Sequence, residues 1–290
     1  MGLSDMHGKT CVVTGGTSGI GEASAMTLAM RGADVAIVCR SRDRGKATQK
    51  RIEERCERAC VRLFHADFER LDQVRRVAAE LASDLPRIDV LLNNAGVTML
   101  GRSETPDGLE TTFAVNHLAP FLLTHGVLPR LLETPGARLV NVASDAHRFA
   151  RLDLDDLQST KRYSTMRVYG ASKLCNILFT SALARRLAHR EIKIWSLHPG
   201  AVSTRLGANN GGIAKIVIPL LGLFFKSPEQ GASTSVRLCC DPSLSEPNGT
   251  YFANERPARI SATAHDEAMG ERLWRESERL AGLEEGATWG

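Results

Sequence analysis

The sequence predicts an α/β protein, a doubly wound parallel sheet with helices on both faces, and three observations carry that prediction. A short β-like run over Lys9–Thr14 passes through G-G-T-S-G-I-G straight into a helical pattern over Glu22–Arg31. Three further strand patterns alternate with helical ones across the next stretch of chain. The fourth strand ends in N-N-A-G (Asn93–Gly96), a small-residue turn at the strand's carboxyl end, where open α/β sheets bind ligands.

Strand, glycine-rich turn and helix in that order aim backbone N–H groups at a phosphate. Gly15, Gly19 and Gly21 stand at a G-x-x-x-G-x-G spacing. One glycine allows the tight turn, one lets a pyrophosphate approach the backbone, and one lets the helix pack on the strand. Ala33–Cys39 is a buried second strand followed by Arg40, with Arg42 and Arg44 close behind. An NAD-preferring site usually has an acid there for the ribose 2′-hydroxyl, whereas a guanidinium suits a 2′-phosphate. The arginines therefore favour NADP(H) over NAD(H), the other reading being a solvated helix start.

Gly45–Arg58 is a charged helix, and Val61–Ala66 a third strand ending in Asp67 and Phe68, where a carboxylate could meet an adenine edge. Leu71–Leu85 is helical, and Asp89–Leu92 is the fourth strand. Leu109–Leu128 reads as one long helix with Asn116 on an otherwise apolar face, so its amide must find partners inside the protein. Arg138–Val142 is a fifth strand, and Ser144 stands just past its carboxyl end, on the rim of the glycine-rich turn. A loop over Asp145–Met166 leads to a helix over Val168–His189. Lys193–Leu197 is a sixth strand, ending in H-P-G-A-V-S-T (His198–Thr204). Gly207–Lys226, glycine-rich and then apolar, suggests a substrate lid or a core helix. Pro228–Cys239 is helical, Thr250–Ala253 a last strand, and His265–Leu280 an amphipathic helix. There is no repeat, linker or low-complexity segment, and one domain over 1–290 fits best.

The chemistry centres on V-Y-G-A-S-K, Val168–Lys173. Tyr169 and Lys173 are four residues apart, on one helix face. A free phenol titrates near pH ~10, and a neighbouring ammonium is expected to lower that value, making Tyr169 a usable acid or base. Alone, the pair is as readily an incidental feature of an amphipathic helix; the surrounding motifs decide.

Composition narrows the class. Hydrophobic residues make up 43% and charged residues 24%, with a net charge of +4 and mixed signs throughout, as in an ordinary globule. No basic block with interleaved aromatics points to nucleic acid. Seven cysteines, an odd number, show no C-x-x-C spacing, and Cys239–Cys240 has no nearby histidines. They read as reduced thiols, with no metal site. Met1–Thr10 is polar and unlike a signal peptide, and Ile213–Phe225 falls short of the about 20 residues a bilayer span needs. A cytoplasmic location with no transmembrane segment is expected.

In this order, T-G-G-T-S-G-I-G, N-N-A-G, Ser144, Y-G-A-S-K and H-P-G-A-V-S-T resemble the short-chain dehydrogenase/reductase family across essentially the whole chain. The resemblance implies a single Rossmann-type domain, a nicotinamide cofactor and a catalytic set of Asn116, Ser144, Tyr169 and Lys173, all present. It implies cofactor contacts from Gly15, Thr17, Ser18, Gly19, Ile20 and Gly21 in the first turn. Further contacts come from Arg40, Asp67, Phe68, Asn94, Ala95, Gly96, Tyr169, Lys173, Pro199, Gly200, Val202 and Thr204. The D-A-H after Ser144, L-D-L-D-D-L, the run S-K-L-C-N-I-L-F-T-S-A-L-A-R-R-L and the late L-W-R-E-S-E look like the retinol dehydrogenase branch. Two features depart from that branch: its membrane-bound animal members carry an N-terminal anchor, and its first turn usually contains an asparagine.

The expected activity is NADP(H)-dependent hydride transfer to or from a small lipophilic alcohol, aldehyde or ketone. Tyr169 would be the acid/base, Ser144 would orient the substrate oxygen, Lys173 would tune Tyr169 and hold the nicotinamide ribose, and Asn116 would pass protons onward. A non-catalytic NADP-sensing protein on the same fold is the alternative; binding without turnover across a carbonyl panel would favour it. Epimerisation or dehydration on the same scaffold usually needs more substrate-domain sequence. The family's long helices make a homodimer or homotetramer an open expectation.

Overall fold

The structure, a computed structural model, describes residues 5–56, 60–200 and 227–286. Among them, eight strands form one sheet in the order β3-β2-β1-β4-β5-β6-β7-β8. The strands are β1 Thr10–Thr14, β2 Asp34–Cys39, β3 Val61–His65 and β4 Val90–Asn93. They continue as β5 Ala137–Val142, β6 Ile192–His198, β7 Tyr251–Ala253 and β8 Arg256–Pro257. Strands β1 to β7 pair in parallel, and β8 turns back antiparallel on β7. The order reverses between β1 and β4, which opens a crevice at their carboxyl ends.

Helices cover both faces, so the central strands are nearly continuous apolar runs. Val12, Leu91, Leu139 and Ile194 point into the layer of α3 (Leu71–Asp84), α5 (Ala119–Leu132) and α6 (Thr165–Arg186). Val13, Leu92, Val140 and Trp195 point the other way, toward α1 (Gly19–Met30), α2 (Arg42–Arg55) and α7 (Pro228–Cys240). The sheet is thus the wall between two cores, and its edges carry the loops that build the site.

Helix α8 (Glu267–Ala281) packs along α6. Its Trp274 lies 5.1 Å from the Phe121 ring and 5.8 Å from Phe179, under the Arg186 guanidinium at 4.0 Å. Part of the long-helix surface is therefore covered within the chain itself.

Three local expectations need correction. Leu109–Leu128 is three pieces: α4 Thr111–Phe113, a π-helical turn Ala114–Leu118, and α5. Buried Glu110 caps the start by accepting the Thr112 and Phe113 N–H groups at 2.9 and 2.6 Å. The supposed loop Asp145–Met166 opens with a 3-10 turn, Asp145–Phe149, and α6 begins at Thr165 rather than Val168. Strand β8, two residues long, has no sequence pattern to announce it. No helix among the described residues is long and apolar enough to cross a membrane. The proposed lid Gly207–Lys226, with Val202 and Thr204, lies outside the described residues.

Candidate active site

The crevice is lined by the turn between β1 and α1. Gly15 takes φ +67°, and a Cβ there would stand 2.9 Å from the Ala95 Cα. At Gly21 a Cβ would lie 2.3 Å from Asn94 Nδ2 and 2.5 Å from the Gly15 carbonyl oxygen. The two turns are locked together: Thr14 Oγ1 accepts the N–H groups of Asn94 and Ala95 at 2.9 and 3.0 Å, and Asn94 Nδ2 donates to the Thr14 carbonyl. Ser18 at the N-cap of α1 makes no side-chain cap, so the helix start keeps its first-turn N–H groups for an anion.

These turns enclose a cavity of about 400 Å³. Gly15, Thr17, Ser18, Gly19, Ile20 and Gly21 line it along one side, and Asn94, Ala95 and Gly96 along another. Arg40, Asp67 and Phe68 line its far end. Sequence reasoning gave no role here to Val38, Ala66, Glu69, Val97 and Val115, which also line it, and named Cys39 and Arg44 only as neighbours of Arg40. Glu69 matters most. Its carboxylate holds Arg40 Nη1 at 3.1 Å, so the guanidinium read as free for a phosphate already has an acidic partner. Asp67 Oδ1 accepts the Glu69 N–H at 3.1 Å. A dinucleotide fits this donor set: an uncapped helix start for the pyrophosphate, glycines where side chains would fill the cradle, and polar ends for the ribose and base.

Beyond Gly96 the rim continues into the remaining predicted residues. A Cβ at Gly96 would lie 3.2 Å from Asn116 Oδ1 and 3.5 Å from Lys173 Nζ, so both polar groups face that glycine. Asn116, in the π-helical turn, accepts the Val97 N–H at 2.7 Å and donates to the Val97 carbonyl and to Ser172 Oγ, each at 3.0 Å. Ser172 in turn donates to the Tyr169 carbonyl at 2.8 Å. Asn116 is fully buried and both its amide hydrogens are committed, so it braces the rim to α6. π-turns of this kind recur at functional sites because they redirect one side chain without ending the helix.

Lys173 is buried, and its Nζ donates to the Val142 carbonyl at 3.0 Å. Burial pulls its pKa down to about 8. The same ammonium lies 5.7 Å from the centre of the Tyr169 ring. Tyr169 behaves differently from the sequence expectation: burial raises its pKa above the ordinary phenol value, and the neighbouring Ser144 hydroxyl opposes that rise. The desolvation of the phenol is the larger of these two effects. Ser144, at the N-cap of the 3-10 turn, accepts the Ala146 N–H at 3.2 Å. Pro199 and Gly200 follow β6 directly at the carboxyl end of the sheet, Gly200 at φ +91°.

A glycine-lined crevice at the switch point of a doubly wound sheet, with Ser144, Tyr169 and Lys173 gathered at one edge, defines a dinucleotide-binding oxidoreductase class. A family model described as short chain dehydrogenase matches residues 9–212. Human retinol dehydrogenase 13 is 38% identical over 283 residues, covering 96% of this chain and 86% of that protein. Mouse retinol dehydrogenase 12 is 38% identical over 277 residues, covering 96% and 87%. Among solved structures, an uncharacterised protein from Mycobacterium paratuberculosis superposes with a TM-score of 0.79 at 32% identity, covering 97% of this chain and 96% of that one. A short chain dehydrogenase from Burkholderia cenocepacia, in complex with NADP, gives 0.68 at 27% identity, covering 91% and 100%. The chain belongs to the short-chain dehydrogenase family and is retinol dehydrogenase-like within it. It is an oxidoreductase acting on CH–OH and C=O groups, in a family that uses NAD(P).

Proposed function

We propose that the protein is an NADP(H)-dependent oxidoreductase of lipophilic alcohols, aldehydes or ketones, with Tyr169 as its acid/base. The observation that carries this reading is the pairing of Tyr169 with Lys173, whose ammonium lies 5.7 Å from the Tyr169 ring and faces Gly96 at the end of the glycine-lined crevice. The cavity of about 400 Å³ would hold the dinucleotide, its pyrophosphate at the start of α1 and its adenosine end near Arg40, Arg44 and Asp67. A nicotinamide bound there supplies or accepts the hydride.

The chain's own residues handle position and proton. Ser144 holds the substrate oxygen by a hydrogen bond and orients it. Tyr169, which keeps its proton through neutral pH, donates it to the nascent alkoxide in reduction and takes it back in oxidation. Lys173, charged below about pH 8, stabilises negative charge on the phenol oxygen and donates toward the nicotinamide ribose. Asn116 keeps the rim and α6 in register. NADP(H) preference draws support from Arg40 and Arg44 at the far end of the cavity, with Glu69 as the opposing charge. A lipophilic substrate draws support from similarity to retinol dehydrogenases.

The test is NADPH oxidation across aldehydes, ketones, quinones, steroids and retinal, run beside Tyr169→Phe. Turnover on an apolar carbonyl that falls at least about 10²-fold in the variant is expected. A variant that kept near-normal turnover would overturn the role of Tyr169.

A further inference from the structure

The 3-10 turn that carries Ser144 is held from outside the region matched by the family model. Residues past 212 reach back and fasten it at three points. Asp145 Oδ1 accepts the Tyr251 hydroxyl at 3.0 Å. The Ser261 N–H donates to His147 Nε2 at 3.2 Å. The Arg148 guanidinium donates to the Arg259 carbonyl. Tyr251 lies on β7, and Arg259 and Ser261 follow β8, so the terminal hairpin is the anchor.

His147 joins this anchor to the serine itself. Its ring is buried, 5.2 Å from the Tyr251 ring and steeply inclined to it at 69°. A backbone N–H can only donate, so Nε2 facing Ser261 is an unprotonated acceptor. The hydrogen therefore sits on Nδ1, which donates to the Ser144 carbonyl at 2.7 Å. The network assigns one neutral tautomer. The chain of contacts runs from Ser261 through the imidazole to the Ser144 backbone, while Tyr251 fixes the neighbouring Asp145.

We propose that His147 and Tyr251 are positioning residues for the Ser144 hydroxyl, and that the β7–β8 hairpin sets its aim at the substrate oxygen. The proposal rests on the reading of Ser144 given above. Neither side chain needs to touch substrate or cofactor; each acts by holding the serine turn against the sheet, and small displacements of an orienting group cost rate far more than binding. The hairpin lies more than a hundred positions along the chain from the serine turn, and its effect reaches the site through the bonds to Asp145, His147 and Arg148.

The test measures kcat and dinucleotide Kd for Tyr251→Phe, His147→Ala, His147→Asn, Ser144→Ala and the double variant Ser144→Ala/Tyr251→Phe. Tyr251→Phe deletes one hydroxyl and keeps the ring, so it remains informative if His147→Ala fails to fold. Both single positioning variants are expected to lower kcat about tenfold or more while the Kd for NADPH stays within about twofold. His147→Asn, which retains a donor toward the Ser144 carbonyl, is expected to recover part of the loss. In the Ser144→Ala background, Tyr251→Phe is expected to cost nothing further, because its effect runs through the missing hydroxyl. Additive losses in the double variant, or unchanged kcat in Tyr251→Phe, would overturn the proposal while leaving the role of Ser144 intact. Unchanged kcat in Ser144→Ala would instead remove the reading on which it rests.

Discussion

Lys173 holds its ammonium 5.7 Å from the centre of the Tyr169 ring and ties it to the Val142 carbonyl at 3.0 Å. Burial lowers the lysine to about 8 and raises the tyrosine above the ordinary phenol value. The two shifts give opposite pH behaviour in the two directions of reaction. Reduction needs the phenol protonated and the ammonium charged, so its kcat/KM should be level near neutrality and fall as pH rises through about 8. Alcohol oxidation needs the phenol to lose its proton, so its rate should climb with pH over the same range. Lys173→Met should lower kcat/KM by about 10²-fold and abolish the falling limb of reduction. A limb that persists in that variant would belong to some other group.

Arg40 and Glu69 form an ion pair at the cavity's far end, with N to O at 3.1 Å. Both side chains are partly exposed, so the pair itself contributes little stability, but it governs the charge a 2′-phosphate meets. Glu69→Gln frees the guanidinium and removes a repelling carboxylate; KM for NADPH should fall several-fold while KM for NADH changes little. Arg40→Asp should reverse the preference toward NADH, since an acid there suits a ribose 2′-hydroxyl. Paired titrations with the two cofactors decide both. An unchanged NADPH/NADH ratio in Arg40→Asp would assign selectivity to Arg44 or elsewhere.

Gly21 has no room for a side chain. Its Cβ would overlap Asn94 Nδ2 at 2.3 Å and the Gly15 carbonyl at 2.5 Å, so Gly21→Ala must part the two turns that face the pyrophosphate. The overpacking should cost about 1–3 kcal/mol of stability. Dinucleotide affinity should drop by about tenfold or more, because the helix start shifts away from the phosphates. Calorimetric titration together with a melting curve tests both parts; an unchanged Kd would mean the turn tolerates the shift.

The sequence made some of this legible and hid the rest for physical reasons. The run Cys11–Thr14, the glycines and α1 could be read because a buried parallel strand and a phosphate-facing turn each demand particular residue types in a fixed order. Tyr169, Lys173, Ser144 and Asn116 could be located along the chain. Their environment could not, because desolvation depends on packing: the same Tyr–Lys spacing on an open helix would have lowered the phenol pKa, as expected. Glu69 escaped notice because an acid two residues past Asp67 has no signature until β2 and β3 place it opposite Arg40. The π-turn around Asn116 was invisible because apolar periodicity over Leu109–Leu128 fits a plain helix equally well. The clamp on Ser144 joins residues more than a hundred positions apart, which no local pattern encodes.

Two buried histidines, His117 beside Asn116 and His125 farther along α5, make the fold sensitive to acid. His117 is buried in the π-turn beside Asn116, with Nε2 2.9 Å from Ser277 Oγ. His125 is buried on α5, its ring 4.5 Å from Phe121 and 5.4 Å from Trp274. Burial holds each pKa down to about 4. An unfolded chain binds a proton at each near pH 6.5, so between 6.5 and about 4 the unfolded state carries more protons than the folded one. Stability is therefore complete above pH 6.5 and declines as pH falls through that window, by up to about 3 kcal/mol per histidine. Urea unfolding at pH 7.5 and pH 5 should show the drop, and His125→Leu should flatten the slope by about one proton while leaving turnover at pH 7.5 intact. Because His117 adjoins Asn116, acidification should loosen the rim first: amide exchange at Val97 should accelerate before the global transition. A pH-independent unfolding curve across that range would mean that these imidazoles carry their protons inside the fold.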